Sequence, residues 1–292
     1  MKEIRGVLTA MATPFDESGA VDEAAALKLA TYLLEHGSHG LVISGSTGEA
    51  PTLTDEEALV LLRAVRREVG DEVLLVCGTG TNYTEHSIEL TRSAAEAGAD
   101  AALIVTPYYN KPNPAGIQAH FEAIAEAVSG LPLIAYNIPS RVVVNVPPED
   151  LAELAKIESV VAVKQANNDE LQPIEGLEIL AGNDDIFFRT LEIGGAGGIC
   201  VASHLVGPQM REVWDAAQAG EMERAREIDA GLRGVYAAMG VTTNPIPVKA
   251  ALEMTGLIPS GTLRLPLVPA DAEQRATVRA ALEGVGLSLV TP

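Results

Sequence analysis

The chain has 292 residues, 47% of them hydrophobic, and its 40 acidic against 20 basic residues give a formal net charge of −20. This length allows one large α/β barrel or two ordinary domains. The excess of negative charge argues against binding to nucleic acid or to an anionic membrane surface. The sequence has no apolar stretch of about 20 residues that could span a membrane and no signal-peptide pattern, so it predicts a cytoplasmic protein.

Short apolar runs rich in valine, isoleucine and leucine alternate with longer segments of helical period. The predicted strands cover residues 6–11, 41–45, 73–79, 101–107, 132–138, 160–165, 178–182 and 198–202. Thr54 followed by Glu57 predicts a capping box at the start of the second helix. Eight strand–helix units predict an α/β fold of the (β/α)8 TIM-barrel type. A doubly wound sheet, which also alternates strands and helices, stays open as an alternative.

The strand pattern ends near residue 220, and helical segments are predicted near 220–239, 247–256 and 271–285. Proline-containing stretches at 244–247 and 266–269 separate these segments. We therefore predict a barrel over residues 1–220 and a C-terminal helical region over residues 221–292.

Lys164 ends the β-branched run that begins at Val160, where an ammonium group is costly to leave unpaired. The other lysines lie in terminal, helical or loop-like contexts: Lys2, Lys28, Lys111, Lys156 and Lys249. Desolvation disfavours the charged form of an amine, and a neutral amine attacks carbonyl carbon, so Lys164 is predicted to form a Schiff base. The alternative is a lysine that caps a strand and reaches solvent, or that pairs with a buried acid.

Hydroxyls, glycines and charged residues gather immediately after the predicted strands, and in a barrel these strand ends meet on one face. The segment Gly45–Glu49 combines small residues with two hydroxyls, which suits a small carboxylate, although an ordinary turn explains the same pattern. Tyr136 can pass protons near an imine, and Arg141 offers a fork for a second carboxylate. Beside a Schiff-base lysine, a carboxylate cradle predicts an α-keto acid substrate.

Other conspicuous residues receive structural interpretations. Gly194–Gly198 precedes a strand, whereas a phosphate site in a barrel requires glycines after the strand, so tight packing is predicted. Cys77 and Cys200 lie in apolar runs and are predicted to be small buried residues. Tyr108 and Tyr109 predict an exposed turn of the kind found at subunit contacts. The histidines show no metal-binding spacing, so no metal site is predicted.

Six motifs follow one another along the chain: Thr13-Pro14-Phe15, Gly45-Ser46-Thr47-Gly48-Glu49, Thr106-Pro107-Tyr108-Tyr109-Asn110, Tyr136-Asn137-Ile138-Pro139-Ser140-Arg141, Val163-Lys164 and Asn244-Pro245-Ile246-Pro247-Val248-Lys249. Together they resemble the pyruvate-dependent class I aldolases and lyases of the dihydrodipicolinate synthase and N-acetylneuraminate lyase family, over roughly residues 4–285. Within this family the chain is most similar to the branch that makes 4-hydroxy-tetrahydrodipicolinate, since that branch pairs a double tyrosine with an arginine at the place of Arg141.

The resemblance implies a cytoplasmic, homotetrameric lyase that needs no cofactor or metal. It implies condensation of pyruvate with L-aspartate 4-semialdehyde to 4-hydroxy-tetrahydrodipicolinate in lysine and diaminopimelate biosynthesis. The implied catalytic residues are Lys164, Tyr136, Ser46 and Tyr109, and the implied substrate-binding residues are Thr47, Arg141, Gly182 and Ile199.

By the same resemblance, Lys164 forms the imine with pyruvate and Thr47 holds the pyruvate carboxylate. A hydroxyl relay would move protons, with Tyr109 arriving from a neighbouring subunit. Arg141 would receive the carboxylate of the aldehyde. Gly182 and Ile199 would line the pocket through backbone and side-chain contact.

The chain departs from the family pattern at two positions, and the first of them weakens the assignment of the substrate modestly. Ser46 stands where the synthases usually have threonine and where neuraminate lyases often have serine, and Gln165 stands where a glutamate commonly follows the catalytic lysine. A retro-aldol lyase acting on a sugar acid, of the N-acetylneuraminate or 2-keto-3-deoxygluconate type, is therefore the alternative. A non-catalytic barrel that binds a keto acid is a further one.

Many synthases of this family are inhibited by lysine at a subunit interface that includes an acidic residue. The corresponding position in this chain is His86, and Ala50 and Ala58 also differ from that pattern. The resemblance therefore predicts weak or absent inhibition by lysine.

Overall fold

The computed structural model of the protein describes residues 2–290, and within that span eight parallel strands form a closed barrel. The strands are β1 (Gly6–Ala10), β2 (Gly40–Ile43), β3 (Leu74–Gly78), β4 (Ala101–Val105), β5 (Leu133–Asn137), β6 (Val160–Gln165), β7 (Glu178–Ala181) and β8 (Gly197–Cys200). Each strand pairs with its neighbours in the chain, and β8 closes the barrel on β1 with Ile199 opposite Leu8. The predicted (β/α)8 barrel is confirmed, and the doubly wound sheet is excluded.

The helices cover the outside of the barrel and continue beyond it. They are α1 (Glu23–Glu35), α2 (Asp55–Val69), α3 (Thr84–Glu96), α4 (Pro114–Ala127), α5 (Pro139–Val142), α6 (Pro148–Leu154), α7 (Phe187–Glu192), α8 (Ser203–Gln218), α9 (Met222–Met239), α10 (Ile246–Met254) and α11 (Ala272–Gly284). One described crossover, from β6 to β7, has only the short 3₁₀ turn Asn168–Glu170 instead of an α-helix. Pro173 and Gly176 interrupt any helix there.

Local sequence signals account for several element boundaries. The predicted capping box is present: Thr54 Oγ1 accepts a hydrogen bond from the backbone N–H of Glu57, and Glu57 Oε2 accepts one from the backbone N–H of Thr54. Strand β2 ends earlier than predicted because Ser44 adopts a φ of 56°, a left-handed conformation that cannot continue a strand. The chain therefore turns sharply just before Ser46.

Side chains alternate between the two faces of each barrel strand, as the period of two requires. On β6, Ala162 belongs to the cluster that fills the barrel interior, and Val163 belongs to the layer between barrel and helices. Lys164 therefore points inward and Gln165 points outward.

The C-terminal helices α9, α10 and α11 pack against the barrel helices and one another, as the predicted helical region requires. The division at residue 220 falls between α8 and α9, and as a boundary between folding units it stays a prediction. No helix in the described part of the chain is long and apolar enough to cross a membrane.

The predicted tight packing of the glycine-rich segment is found at Gly195 and Gly197, whereas a side chain at Gly194 would meet open space. The segment runs into β8, which begins at Gly197. Gly197 has a φ of 151°, and a Cβ atom there would lie 2.1 Å from the carbonyl oxygen of Gly6. Cys77 and Cys200 are both free and buried, and burial raises the pKa of Cys77 to about 12. The prediction that these cysteines act as small buried residues is confirmed.

His204 should make the stability of the fold depend on pH. Its Nε2 accepts a hydrogen bond from the backbone N–H of Ala12 at 3.1 Å, and its Nδ1 donates to the carbonyl oxygen of Val201 at 2.8 Å. Burial lowers the pKa of His204 from 6.5 to about 4. The unfolded chain therefore takes up this proton below about pH 6.5, whereas the folded chain does so only near pH 4, so stability falls on acidification through this window.

We expect His204 alone to lower the free energy of unfolding by about 1.4 kcal/mol per pH unit within that window. Urea denaturation at several pH values would measure how the free energy of unfolding changes with pH. His204→Gln should reduce that slope by the amount that corresponds to the uptake of about one proton. Equal slopes for the wild type and the variant would contradict this assignment.

Candidate active site

A cavity of about 650 Å³ opens at the C-terminal ends of the barrel strands. Six of the predicted site residues line it: Ser46, Thr47, Tyr136, Arg141, Lys164 and Gly182. The rest of the wall comes from the loops after β5, β7 and β8, for example Asp184 and Val201, and from the C-terminal region, for example Tyr236 and Asn244. A second cavity of about 510 Å³ lies against α4 and α6 and contains none of the predicted site residues. The first cavity is therefore the candidate active site.

Lys164 lies at the base of this cavity, with 6% of the residue exposed. It is paired in register with Tyr136 on β5, and its Nζ lies 4.3 Å from the centre of the Tyr136 ring. Among residues 2–290 Lys164 makes no ion pair with a carboxylate, although Asp184 lies near enough to interact with its charge. An amine without a carboxylate partner, beside a phenol and open to a cavity, can attack a carbonyl carbon.

Thr47 is buried at the cavity wall, and the side chain of Asn244 holds it. Asn244 Nδ2 donates a hydrogen bond to Thr47 Oγ1 at 2.9 Å. Because this bond uses a lone pair of the hydroxyl, the hydroxyl proton of Thr47 remains available for donation into the cavity. Thr13 Oγ1 also donates to the carbonyl oxygen of Gly48 at 2.8 Å, which fixes the loop after β2. This geometry suits the binding of a small carboxylate.

Arg141 lies on α5 at the rim of the same cavity. Its Nη2 donates a hydrogen bond to the carbonyl oxygen of Asn244 at 3.0 Å, and the residue is otherwise exposed. Asn244 therefore contacts both residues that are predicted to hold carboxylates. The guanidinium keeps further N–H groups free to donate to an anion.

Asp184 adds a carboxylate to the cavity wall, and its carboxylate oxygens accept hydrogen bonds from the backbone N–H groups of Val201 and Ala202. Burial raises the pKa of Asp184, while those two N–H groups and the nearby Lys164 oppose that rise. The sequence placed Asp184 after a predicted strand but gave it no role.

Gly182 lies where β6 and β7 approach each other closely. A Cβ atom at this position would lie 2.7 Å from both the Cβ of Ala166 and the carbonyl oxygen of Gln165. Only glycine fits there without displacing the strand that carries Lys164.

Two predicted site residues do not line the cavity of this chain. Ile199 is fully buried in the cluster that fills the barrel interior, below the cavity. Tyr109 is 88% exposed and has a φ of 71°, so its ring projects away from the body of the barrel.

A buried ion pair behind the cavity wall was not foreseen. Glu49 and Lys249 are each fully buried, and Lys249 Nζ lies 2.5 Å from Glu49 Oε1. Lys249 also lies 3.9 Å from the centre of the Phe15 ring and donates to the carbonyl oxygen of Thr262. Burial lowers the pKa of Lys249, and Glu49 opposes that shift. Both residues belong to motifs noted in the sequence, but spacing along the chain gave no sign of their contact.

Comparison with known proteins agrees with this geometry. The family model described as the dihydrodipicolinate synthetase family matches residues 3–285. A 4-hydroxy-tetrahydrodipicolinate synthase from Synechococcus elongatus is 46% identical over 288 residues, which cover 96% of each chain.

Solved structures are also similar to this chain. The dihydrodipicolinate synthase from Cyanidioschyzon merolae with lysine bound has a TM-score of 0.93 at 37% identity, covering 97% of this chain and 99% of that one. A structure described as the first monomeric dihydrodipicolinate synthase variant has a TM-score of 0.94 at 38% identity, covering 97% of each chain.

Proposed function

Since the chain belongs to the dihydrodipicolinate synthetase family, we propose that it condenses pyruvate with L-aspartate 4-semialdehyde to 4-hydroxy-tetrahydrodipicolinate, in lysine and diaminopimelate biosynthesis. The observation that carries this proposal is that Lys164, Tyr136, Thr47 and Arg141 all line the same cavity. A buried amine with a hydroxyl-lined cradle and a separate guanidinium matches a keto acid and a second acidic substrate.

The first half of the reaction takes place at Lys164. Its neutral amine attacks the carbonyl carbon of pyruvate, and loss of water gives an imine. The Thr47 hydroxyl, held by Asn244, donates to the pyruvate carboxylate. The protonated imine withdraws electrons from the adjacent methyl group, so loss of a methyl proton gives an enamine. The imine itself is the electron sink, so this chemistry requires no metal or organic cofactor.

The second half joins the two substrates. The enamine carbon attacks the aldehyde of aspartate semialdehyde, and the resulting oxyanion takes up a proton. Arg141 holds the carboxylate of the aldehyde substrate at the rim. The amino group of that substrate then attacks the imine carbon, which closes the ring and releases Lys164 as the free amine.

The proton transfers pass through the hydroxyls of Tyr136 and Ser46 and, in the assembled enzyme, of Tyr109 from a second subunit. The exposure of Tyr109, together with that of Tyr83 and Tyr108, supports a subunit contact at this face. We propose a homotetramer acting in the cytoplasm, in which Ile199 packs beneath the bound pyruvate.

The test is a condensation assay with pyruvate and aspartate semialdehyde, coupled to a nicotinamide-dependent reductase that consumes the cyclic product. A clear rate supports the proposal. No rate, together with borohydride trapping of pyruvate on Lys164, would refute it in favour of a lyase for sugar acids, with Ser46 as the first residue to examine. No trapping at all would indicate a non-catalytic barrel.

Arg141→Ala should raise the KM for aspartate semialdehyde about 10- to 100-fold, because a charge-assisted contact to its carboxylate is lost. Trapping of pyruvate on Lys164 should be unchanged. Initial rates at varied aldehyde concentration would measure the effect. Arg226→Ala, which removes an exposed arginine of α9 outside the cavity, is the control and should leave KM unchanged. An unaltered aldehyde KM in Arg141→Ala would contradict the assigned role.

Micromolar L-lysine should not inhibit condensation. By the family resemblance, His86 stands where lysine-sensitive relatives have an acid. The carboxylate of Asp55 lies beside it but is already bonded to His86, with Asp55 Oδ2 2.8 Å from His86 Nε2. Rates measured over a lysine titration would test this prediction, and His86→Glu should increase sensitivity. Strong inhibition of the wild type by micromolar lysine would refute it.

A further inference from the structure

Gln165 lies at the base of a buried amide cluster, directly after Lys164 on the opposite face of β6. The residue is only 1% exposed. Its Oε1 accepts hydrogen bonds from Asn137 Nδ2 at 3.1 Å and from the backbone N–H of Asn167 at 2.9 Å. Because a backbone N–H can only donate, the oxygen of the Gln165 amide must face this cluster.

Asn137 uses the cluster to close the loop that follows β5, residues 138–146. Its Oδ1 accepts from the backbone N–H of Val146 at 3.1 Å, and its Nδ2 donates to the carbonyl oxygen of Val146 at 3.1 Å. The two ends of the loop are thereby tied together at the barrel wall. The loop contains α5, which carries Arg141.

Asn145, near the end of this loop, extends the amide cluster to the loop that follows β6. Its Oδ1 lies 3.0 Å from Asn137 Nδ2 and accepts from Asn167 Nδ2 at 3.1 Å. Asn137 Nδ2 has two protons for three acceptors, so one of its N–H groups is shared between two of them. Asn145 Nδ2 donates to both carboxylate oxygens of Glu170, at 3.0 and 2.9 Å. The loops after β5 and β6 are therefore held together by side-chain amides. Gln165 supplies the buried acceptor for Asn137 at the end of β5 and for Asn167 in the loop after β6.

We propose that Gln165 is a positioning residue for the second substrate: through Asn137 it holds the 138–146 loop and so directs Arg141 toward the carboxylate of the aldehyde. This inference rests on the proposed function. The end of β6 then serves both substrates, because Lys164 faces pyruvate inside the barrel while Gln165 supports the loop outside it.

Only the oxygen of the Gln165 amide is needed for this role. Its Nε2 has no hydrogen-bond partner in the described structure. Glutamate at this position would keep the acceptor and would remove the unpaired N–H group, whereas methionine would keep the size of the side chain and lose the acceptor. These two variants separate the hydrogen bonds from the packing.

We expect Gln165→Met to raise the KM for aspartate semialdehyde about tenfold, with kcat and pyruvate trapping on Lys164 changed less than about twofold. Gln165→Glu should retain a KM close to that of the wild type. Thr91→Val removes a buried hydroxyl from α3, on another side of the barrel, and as the control it should leave the aldehyde KM unchanged. If Gln165→Met does not fold, Asn145→Ala loosens the same loop by removing its bonds to the side chains of Asn137, Asn167 and Glu170, and it should show the same selective rise in KM.

Hydrogen–deuterium exchange tests the anchoring without any assay of activity. Backbone amides of residues 138–146 should exchange faster in Gln165→Met than in the wild type. In Gln165→Glu, which keeps the acceptor oxygen, they should exchange at the wild-type rate. Unchanged exchange, or faster exchange with an unchanged aldehyde KM, would overturn the inference. Equal losses of pyruvate trapping and of aldehyde binding would also overturn it, since they indicate general destabilisation. A wild type that does not condense these substrates would refute the proposed function, and with it the substrate assigned to the loop, while the exchange rates would still decide the anchoring.

Discussion

We expect Lys164→Ala to abolish borohydride trapping of pyruvate and to lower the condensation rate about a thousandfold or more, because the variant lacks the amine that forms the imine. Mass spectrometry of the reduced adduct would measure trapping, and the coupled assay would measure the rate. Lys164→Arg tests charge against nucleophilicity, since it keeps a cation at the position but should fail to trap. An adduct that persists in Lys164→Ala would show that another lysine is the nucleophile.

Lys249 is the structural competitor for that role, because it is even more deeply buried than Lys164. The surroundings of the two amines differ, however. Lys249 is paired with Glu49 and does not line the cavity, whereas Lys164 lines it beside Tyr136. Burial alone therefore does not identify a Schiff-base lysine, and access to substrate decides between them.

The second large effect concerns the Glu49–Lys249 pair. Lys249→Met should lower the free energy of unfolding by about 3–5 kcal/mol, because it leaves the Glu49 carboxylate buried without its cation. Urea denaturation would measure the loss. Replacing both residues, as Glu49→Leu with Lys249→Met, should restore much of the stability, since neither charge is then buried alone.

A surface ion pair provides the matched control for this comparison. Lys156 and Glu153 form an exposed pair on and just after α6, and Lys156→Ala should change stability by less than about 0.5 kcal/mol. If Lys249→Met also fell within that limit, the buried pair would contribute nothing to the fold.

The barrel and most of the cavity could be predicted from the sequence because their signals are local. Apolar runs located the strands to within a few residues, and the polar residues at their ends located Ser46, Thr47, Tyr136, Arg141 and Lys164. Gly182 was named as a site residue only through the family resemblance. A closed barrel brings such strand ends together wherever they lie in the chain. The closed barrel therefore brings residues from separate short motifs into one cavity.

Contacts between distant segments could not be predicted in the same way. Asn244 contacts Thr47 across 197 residues. In the sequence its motif is a proline-containing break between helices and one of the six family motifs, and neither observation indicates this contact. The partner of Lys249 depends on how α10 packs against the loop after β2. Gln165 was a departure without an explanation until the register of β5 and β6 placed it opposite Asn137. The role of Tyr109 depends on a second subunit and stays a prediction.

The contact between Asn244 and Thr47 also has a consequence for biosynthesis on the ribosome. At about 5–20 residues per second, roughly 10–40 seconds separate the synthesis of these two residues. During that interval the Thr47 hydroxyl lacks its hydrogen bond from the Asn244 side chain, and the Glu49 carboxylate lacks its ion pair with Lys249. If Thr47 binds pyruvate as we propose, a nascent chain with all eight strands already made would therefore still lack the complete site until α10 had left the exit tunnel.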